Sequence, residues 1–297
     1  MKACYIAPVV TALDKHGGLD FEALKGIYDR IIRGGVNGIL ILGSIGEFFG
    51  FSMDRKKELI RLAAGHIKKR TKLIVGTAGM IASETVELSN YAYEQGAHAV
   101  IVVSPFYFGL SDRSIEAYYD FVAENCRGDI YLYNFPDRTG YDISPDITLN
   151  LLRKHSNIVG YKDTVAGMDH TRELIKLIKP EFPHFEIYSG FDNNFAHNLL
   201  SGGDGCIGGL ANLSPELCAE WVRAFEENDL QRISSIQRTV DKLMGIYNVG
   251  KPFVPYIKLA MKLIGINIED YCTFPMCRVT QQEALVVKQI LESAHIL

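Results

Sequence analysis

Short β-rich runs alternate with amphipathic helical stretches along most of the chain. Eight such runs read CYIAPVV, GILIL, KLIVG, AVIVV, IYLYN, IVGYK, FEIYSG and GCIGG, and they end near residues 10, 42, 76, 103, 134, 162, 190 and 209. Apolar positions recur at helical spacing over residues 21–34, 53–69, 83–95, 112–126, 145–154, 168–178, 193–200 and 215–227. Strands that alternate with helices of this length predict right-handed βαβ units and a parallel sheet.

The number of units favours a closed (β/α)8 barrel, the TIM barrel. A doubly wound open sheet is the alternative, but it usually has fewer strands and a glycine-rich phosphate turn after the first. Here the first run and the segment after it read APVVTALDKHGG, without a GxGxxG pattern. The sequence therefore predicts an α/β fold of the TIM-barrel type.

Strand signals stop near residue 228, and three helical patterns follow at 230–247, 252–263 and 281–294. Pro252 and Thr280 are typical of helix starts. No low-complexity linker separates these helices from the preceding units. We predict a barrel over residues 1–227 and a C-terminal three-helix extension over 228–297, packed on the barrel.

Composition narrows the function classes. The 297 residues are 47% hydrophobic and carry a formal net charge of -4. This charge does not indicate a basic surface that would bind nucleic acid or an anionic membrane. The one basic cluster, HIKKR, ends a helical pattern, and no run has the length of a signal h-region or a membrane span. Six cysteines are scattered without a CxxC pair. These features predict a cytoplasmic protein without a metal site.

Lys162 closes the apolar run in IVGYKDT, which otherwise reads as a buried strand. Lysine is rarely buried without cause. Burial favours the neutral amine, which can attack a carbonyl and form a Schiff base. The alternative is a lysine whose stem covers apolar surface while its head reaches water.

Other strand ends are also polar, and in a barrel the carboxyl ends of the strands carry the chemistry. The segments after the second, fourth, fifth, sixth and seventh runs supply Ser44, Glu47, Tyr107, Tyr133, Asn134, Arg138, Lys162 and Asp192. Each of these alone could be a turn or cap residue. Their joint placement predicts a Schiff-base site in which Lys162 attacks a 2-keto acid, the Ser44 and Ile45 amides hold its carboxylate, and Tyr133 moves protons. This chemistry requires no metal or organic cofactor.

The motifs GSIGEF, PFYFG, YNFPDRTG, GYKDT, SGFD and GGDGCIGG occur in this order and spacing. Together they resemble the pyruvate-dependent class I aldolases of the dihydrodipicolinate synthase and N-acetylneuraminate lyase family. The resemblance implies a TIM barrel, usually a homotetramer, with Lys162 as the imine-forming lysine and Tyr133 as the proton-transfer tyrosine. It implies that Ser44 and Ile45 bind the pyruvate carboxylate and that Tyr107 reaches across a dimer interface.

The resemblance also places Thr164, Gly190, Asp192 and Ile207 at the substrate site. The residues that would identify the substrate, however, point to different reactions. In dihydrodipicolinate synthases the first motif resembles GTTGE, and the second threonine of this motif links two tyrosines in a proton relay. This chain has Ile45 there, which cannot transfer a proton. Against this, Arg138 matches the arginine that binds aspartate semialdehyde in the synthases, although a surface or interface ion pair would also explain it.

The remaining motifs favour sugar acids. GEFF, YNFP, KDT and GFD resemble the 2-keto-3-deoxygluconate aldolases, and Asp192 matches an acidic residue that binds substrate hydroxyls in such enzymes. Asn193 departs from the glutamate of the sialic acid lyases. The sequence thus predicts a lyase that splits a 2-keto-3-deoxy sugar acid into pyruvate and an aldehyde. The alternatives are 4-hydroxy-tetrahydrodipicolinate synthase, N-acetylneuraminate lyase, and a binding protein that forms the imine and stops.

Overall fold

Eight short strands form the centre of the fold, as the computed structural model of residues 3–297 describes it. The strands are β1 (Cys4–Pro8), β2 (Gly38–Ile41), β3 (Lys72–Gly76), β4 (Ala99–Val103), β5 (Ile130–Asn134), β6 (Ile158–Asp163), β7 (Glu186–Ser189) and β8 (Gly205–Ile207). They are neighbours in chain order and close into a barrel. The TIM-barrel prediction is confirmed.

Twelve α-helices lie among and after the strands in the part of the chain that the structure describes. They are α1 (Phe21–Gly34), α2 (Met53–Ile67), α3 (Ala82–Glu94), α4 (Asp112–Asn125), α5 (Pro136–Thr139), α6 (Pro145–Lys154), α7 (Asp169–Ile178), α8 (Phe195–Leu200), α9 (Pro215–Glu226), α10 (Leu230–Leu243), α11 (Val254–Leu263) and α12 (Gln281–Ser293). None of the helices within residues 3–297 is both long and apolar enough to cross a membrane.

Local sequence signals explain where many helices begin and end. The Asp20 carboxylate accepts a hydrogen bond from the Ala23 N–H at the start of α1, and Gly35 ends that helix in the left-handed conformation. At α12, Thr280 and Glu283 form a complete capping box, as expected from the sequence. Pro145 occupies the first turn of α6, where its missing N–H is not needed.

Several predicted boundaries were wrong by a few residues; the helix predicted over 230–247, for example, ends at Leu243. β1 ends at Pro8 rather than near residue 10, and the Val10 N–H bonds the Asn212 side chain at 3.2 Å. β8 ends at Ile207 because a short 3-10 helix begins at Gly209. The helix α11 begins at Val254 with Pro255 in its first turn, so the helix-start proline is not Pro252.

The chain divides into two units. One unit combines residues 3–72 with Gly208–Leu297, so it contains β1, β2 and the C-terminal helices. The other unit is Leu73–Ile207. In the second unit, the register aligns Tyr133 of β5 with Lys162 of β6, and Lys162 with Tyr188 of β7. Three neighbouring parallel strands thus bring polar side chains to one level near their carboxyl ends.

Candidate active site

Lys162 and Tyr133 form the centre of the candidate site. Both side chains are buried, with 5% and 4% of their surface exposed. The Lys162 Nζ lies 4.3 Å from the centroid of the Tyr133 ring, within the range of a cation–π contact. The structure thus brings the Tyr133 ring beside the Lys162 amine, and the proton-transfer role of the phenol stays a prediction.

Two lysines are buried in the part of the chain that the structure describes, and they differ in their partners. Lys258 forms an ion pair with Glu47, which is the usual condition for burying an ammonium group. Lys162 forms no ion pair with any carboxylate of residues 3–297. A buried amine that no carboxylate engages is suited to a lysine nucleophile, because its nitrogen can approach a substrate carbonyl without first breaking an ion pair.

The residues next in sequence bind β5 and β6 together. Asn134 follows Tyr133, Asp163 follows Lys162, and the two are register partners. The Asn134 side-chain amide donates to the Asp163 Oδ1 at 2.9 Å, and its oxygen accepts from the Ile143 N–H at 3.0 Å. Both side chains are only 1% exposed. This link restrains the relative positions of Tyr133 and Lys162.

The second oxygen of Asp163 is also satisfied. Its Oδ2 accepts from the Thr171 hydroxyl at 2.7 Å and lies 2.9 Å from His170 Nδ1. Burial by itself lowers the pKa of His170, but the hydrogen bond to Asp163 and the negative charges of Asp163 and Asp142 outweigh it, so that the pKa is raised. These contacts bind the first turn of α7 to Asp163, the residue that follows the candidate lysine. This cluster could not be predicted from the sequence, because nothing in the KDT motif indicates which side chains approach Asp163.

His170 provides a test of this cluster through the pH dependence of stability. Because folding raises the pKa of His170, its contribution to stability is fully present below the unfolded value of about 6.5 and is lost as the pH rises through the folded value. The groups facing it are Asp163, Asp142, and the Tyr161 ring at 6.2 Å. We expect the free energy of unfolding lost in His170→Gln to be larger at pH 5.5 than at pH 9. Urea titrations of both proteins measure this, and a loss independent of pH would contradict the assignment.

Thr164, Gly190 and Asp192 lie at the ends of β6 and β7. The Thr164 hydroxyl is buried and has no hydrogen-bond partner within residues 3–297. It lies so close to Gly190 that a side chain there would overlap it, while the Gly190 N–H donates to the Asp163 carbonyl at 2.7 Å. Asp192 is 1% exposed and begins a short 3-10 helix. A buried hydroxyl and a buried carboxylate therefore lie at neighbouring strand ends.

Arg138 and Tyr107 lie outside this buried group. Arg138 is exposed on α5, with its guanidinium carbon 5.2 Å from the centroid of the Phe135 ring. It forms no ion pair with a carboxylate of residues 3–297, so a surface ion pair within the chain does not explain it. Tyr107 is 79% exposed and packs edge-to-face on Phe108. Its role across a subunit interface stays a prediction.

Ser44 and Ile45 belong to the other unit, in a tight turn after β2. The Gly46 N–H donates to the Gly43 carbonyl at 3.0 Å, and the Gly46 carbonyl accepts from the Thr11 hydroxyl at 2.7 Å. Ser44 is partly exposed, whereas the Ile45 side chain is buried beside Gly209. Ile207, at the end of β8, is fully buried.

Residues 3–297 contain no cluster of three or more His, Cys, Asp or Glu side chains that could hold a metal ion.

Comparisons with known proteins identify the family of the chain. A model of the Dihydrodipicolinate synthetase family matches residues 2–294. The Escherichia coli K12 protein named "Putative 2-dehydro-3-deoxy-D-gluconate aldolase YagE" is 32% identical over 97% of this chain and 95% of its own. "Probable 2-dehydro-3-deoxy-D-pentonate aldolase YjhH", also from E. coli K12, is 32% identical over 98% and 97%. The 4-hydroxy-tetrahydrodipicolinate synthase of Kosmotoga olearia is 30% identical over 95% of each chain.

The structural comparison gives the same result. The crystal structure of YagE in complex with pyruvate superposes with a TM-score of 0.97 at 31% identity, covering 99% of both chains. The family model and the relatives thus match almost the whole sequence, and the backbone of a relative superposes over the same length. The chain belongs to the dihydrodipicolinate synthetase family.

Proposed function

We propose that the protein is a pyruvate-dependent class I lyase that reversibly cleaves a 2-keto-3-deoxy sugar acid to pyruvate and an aldehyde. The observation that carries the proposal is Lys162: it is buried, forms no ion pair with a carboxylate of residues 3–297, and lies 4.3 Å from the Tyr133 ring centroid. An amine in such a setting is suited to nucleophilic attack on a carbonyl. The complex of YagE with pyruvate supports pyruvate as one partner of the reaction.

The proposed reaction begins when the neutral Lys162 amine attacks the 2-keto carbon; one proton is taken up from solvent and water leaves, which forms a protonated imine. Tyr133 reacts as the phenolate and accepts the proton of the C4 hydroxyl as the bond between C3 and C4 breaks, and the electron pair of that bond moves toward the imine, so that an enamine and the aldehyde form. The Tyr133 phenol then gives this proton to C3 of the enamine. Hydrolysis of the resulting imine releases pyruvate and one proton and restores the amine and the phenolate. Ser44 and Ile45, by the family resemblance, hold the pyruvate carboxylate.

The preference for a sugar acid rests on the ends of β6 and β7. The buried Thr164 hydroxyl lacks a hydrogen-bond partner within residues 3–297, and Asp192 is a buried carboxylate. Both are suited to bind hydroxyl groups of a polyhydroxylated substrate. YagE and YjhH, whose names refer to 2-dehydro-3-deoxy sugar acids, lend further support.

A second candidate function is the 4-hydroxy-tetrahydrodipicolinate synthase reaction, which condenses pyruvate with aspartate semialdehyde. Arg138 favours it, because this exposed guanidinium forms no ion pair within residues 3–297 and is available for a second carboxylate. Ile45 opposes it, since its side chain cannot complete a hydroxyl relay.

The two functions predict opposite effects of two substitutions. We expect purified protein to release pyruvate from 2-keto-3-deoxygluconate and to condense pyruvate with aspartate semialdehyde negligibly. Asp192→Asn should raise KM for the sugar acid about tenfold or more, because it removes a charged hydrogen-bond acceptor. Arg138→Ala should leave that KM within about twofold, because an exposed side chain that water solvates contributes little to binding the sugar acid.

The opposite pattern would establish the synthase reaction. Efficient condensation that depends on Arg138 and is insensitive to Asp192→Asn would overturn the sugar-acid assignment. Imine formation with pyruvate but no turnover of any hydroxylated 2-keto acid or of aspartate semialdehyde would instead indicate a binding protein.

A further inference from the structure

The turn after β2 has an unusual backbone. We define the β2 loop as residues 42–50. Within it, Leu42 and Glu47 adopt φ values of 54° and 60°, in the left-handed region that non-glycine residues rarely occupy. Such conformations persist only where the surrounding structure holds them, and they often occur at functional sites. Ser44 and Ile45 lie between these two residues.

The Glu47 side chain is held by the C-terminal part of the same unit. Its Oε1 lies 2.5 Å from the Lys258 Nζ on α11, and both side chains are fully buried. Its Oε2 accepts a hydrogen bond from the Thr273 N–H at 2.6 Å. Lys258 in turn donates to the Tyr271 carbonyl at 2.6 Å. One carboxylate thus connects the β2 loop to both α11 and the segment that follows it.

A second contact joins the same two segments. A side chain at Gly50 would overlap the Thr273 side chain, so the end of the β2 loop lies directly against the backbone region that binds Glu47. Thr273 is β-branched and has little freedom to move aside. The loop is therefore held both by an ion pair and by close packing.

Stability alone is a weak explanation for this arrangement. A buried ion pair usually stabilises a protein no better than apolar side chains of similar volume, because both charges lose their hydration. The geometric specificity of this pair is greater, since the hydrogen bonds of the charged groups to the Thr273 N–H and the Tyr271 carbonyl fix direction as well as distance. A fully buried pair beside a strained loop is therefore better explained by a requirement for one loop conformation.

We propose that Glu47 and Lys258 are positioning residues, whose ion pair holds the β2 loop in the conformation in which Ser44 and Ile45 bind the pyruvate carboxylate. The inference rests on the proposed function, because it assumes pyruvate binding at that loop. It assigns the C-terminal extension a role in substrate binding in addition to packing.

The test compares wild type with Glu47→Gln and with the double variant Glu47→Met/Lys258→Met. Lys262→Met is the matched control, because Lys262 lies on the same helix but pairs with Glu269 and Asp270 at the surface. Borohydride reduction over a range of pyruvate concentrations traps the imine, and mass spectrometry quantifies the Lys162 peptide. Thermal unfolding is recorded in parallel, and each protein is assayed well below its own midpoint.

We expect Glu47→Gln to raise the half-saturating pyruvate concentration about tenfold or more, because small displacements of binding groups have large effects. The double variant should recover thermal stability, since its apolar pair replaces the buried charges, but should not recover the affinity for pyruvate. Lys262→Met should change neither. If the double variant is stable and its imine is trapped with the same half-saturating pyruvate concentration as in wild type, the ion pair has only a structural role.

The outcomes separate this inference from the proposed function. If wild type gives no adduct on Lys162, the proposed function fails. If wild type is trapped and both folded variants saturate at the same pyruvate concentration, only the positioning role fails.

Discussion

Lys162→Met is expected to abolish turnover and imine formation while leaving the fold intact. Methionine fills a similar volume and is apolar, so the buried site accepts it without a new unpaired charge. Without a nucleophilic amine the covalent route is closed, and kcat should fall by roughly a thousandfold or more. The measurements are steady-state release of pyruvate and mass spectrometry after borohydride reduction with pyruvate.

Lys179→Met is the control for this substitution. Lys179 belongs to the same unit, is also largely buried, and pairs with Asp204 at 2.7 Å. Its removal should lower stability and leave the Lys162 adduct in place, because it takes no part in the proposed chemistry. An adduct that persists in Lys162→Met, or that maps to another lysine in wild type, would contradict the proposed mechanism.

The position of this lysine could be predicted from sequence because two regular patterns determine it. Alternating strands and helices predicted the barrel, and parallel strands in chain order bring β5 and β6 side by side. Tyr133 and Lys162 each lie near the end of a strand, so strand order makes them neighbours, whereas their direct pairing also depends on the register shift between Ile130 and Tyr131. The contact between ring and amine adds detail, but the strand pattern alone places the two residues on neighbouring strands.

The residues behind the site could not be predicted in this way. Glu47 and Thr273 are 226 residues apart in the chain, and no periodic pattern relates them. Lys258 lies in a helix that we predicted as part of an appended bundle, and its sequence context, VPYIKLAMKL, is that of an ordinary buried helix. Only the packing of α11 shows that this lysine faces a carboxylate. Side-chain pairing between distant segments therefore limits what one sequence predicts.

The same limit applies to the substrate. Asp192 and Arg138 follow recognisable motifs, but residue type alone does not distinguish a hydroxyl-binding carboxylate from a cap or a substrate-binding arginine from a surface charge. The structure separates them by burial: Asp192 is buried and Arg138 is exposed. A buried carboxylate is held in a fixed position and can orient a bound hydroxyl group, whereas an exposed guanidinium is solvated by water. This difference is why the sugar-acid reaction is proposed first.

Tyr133→Phe is expected to separate imine formation from bond cleavage. The phenylalanine ring keeps the stacking with Phe135, whose centroid lies 6.0 Å away, and keeps a ring beside the Lys162 amine. Only the hydroxyl is lost. Proton transfer by a positioned side chain typically contributes about 10²–10⁴-fold, so kcat should fall by at least about a hundredfold. Borohydride should still trap pyruvate on Lys162.

Tyr161→Phe is the matched control for the loss of a buried phenol. Tyr161 precedes Lys162 in β6 and is fully buried, and its hydroxyl donates to the Ile143 carbonyl at 2.6 Å. Removing that hydroxyl leaves a buried carbonyl without this donor, so stability should fall by about 1–3 kcal/mol, with kcat little changed. Single-turnover assays and urea unfolding distinguish the two effects. If Tyr133→Phe turned over the sugar acid at the wild-type rate, proton transfer would have to be assigned to another group, and Tyr133 would be left with the packing of Lys162 as its role.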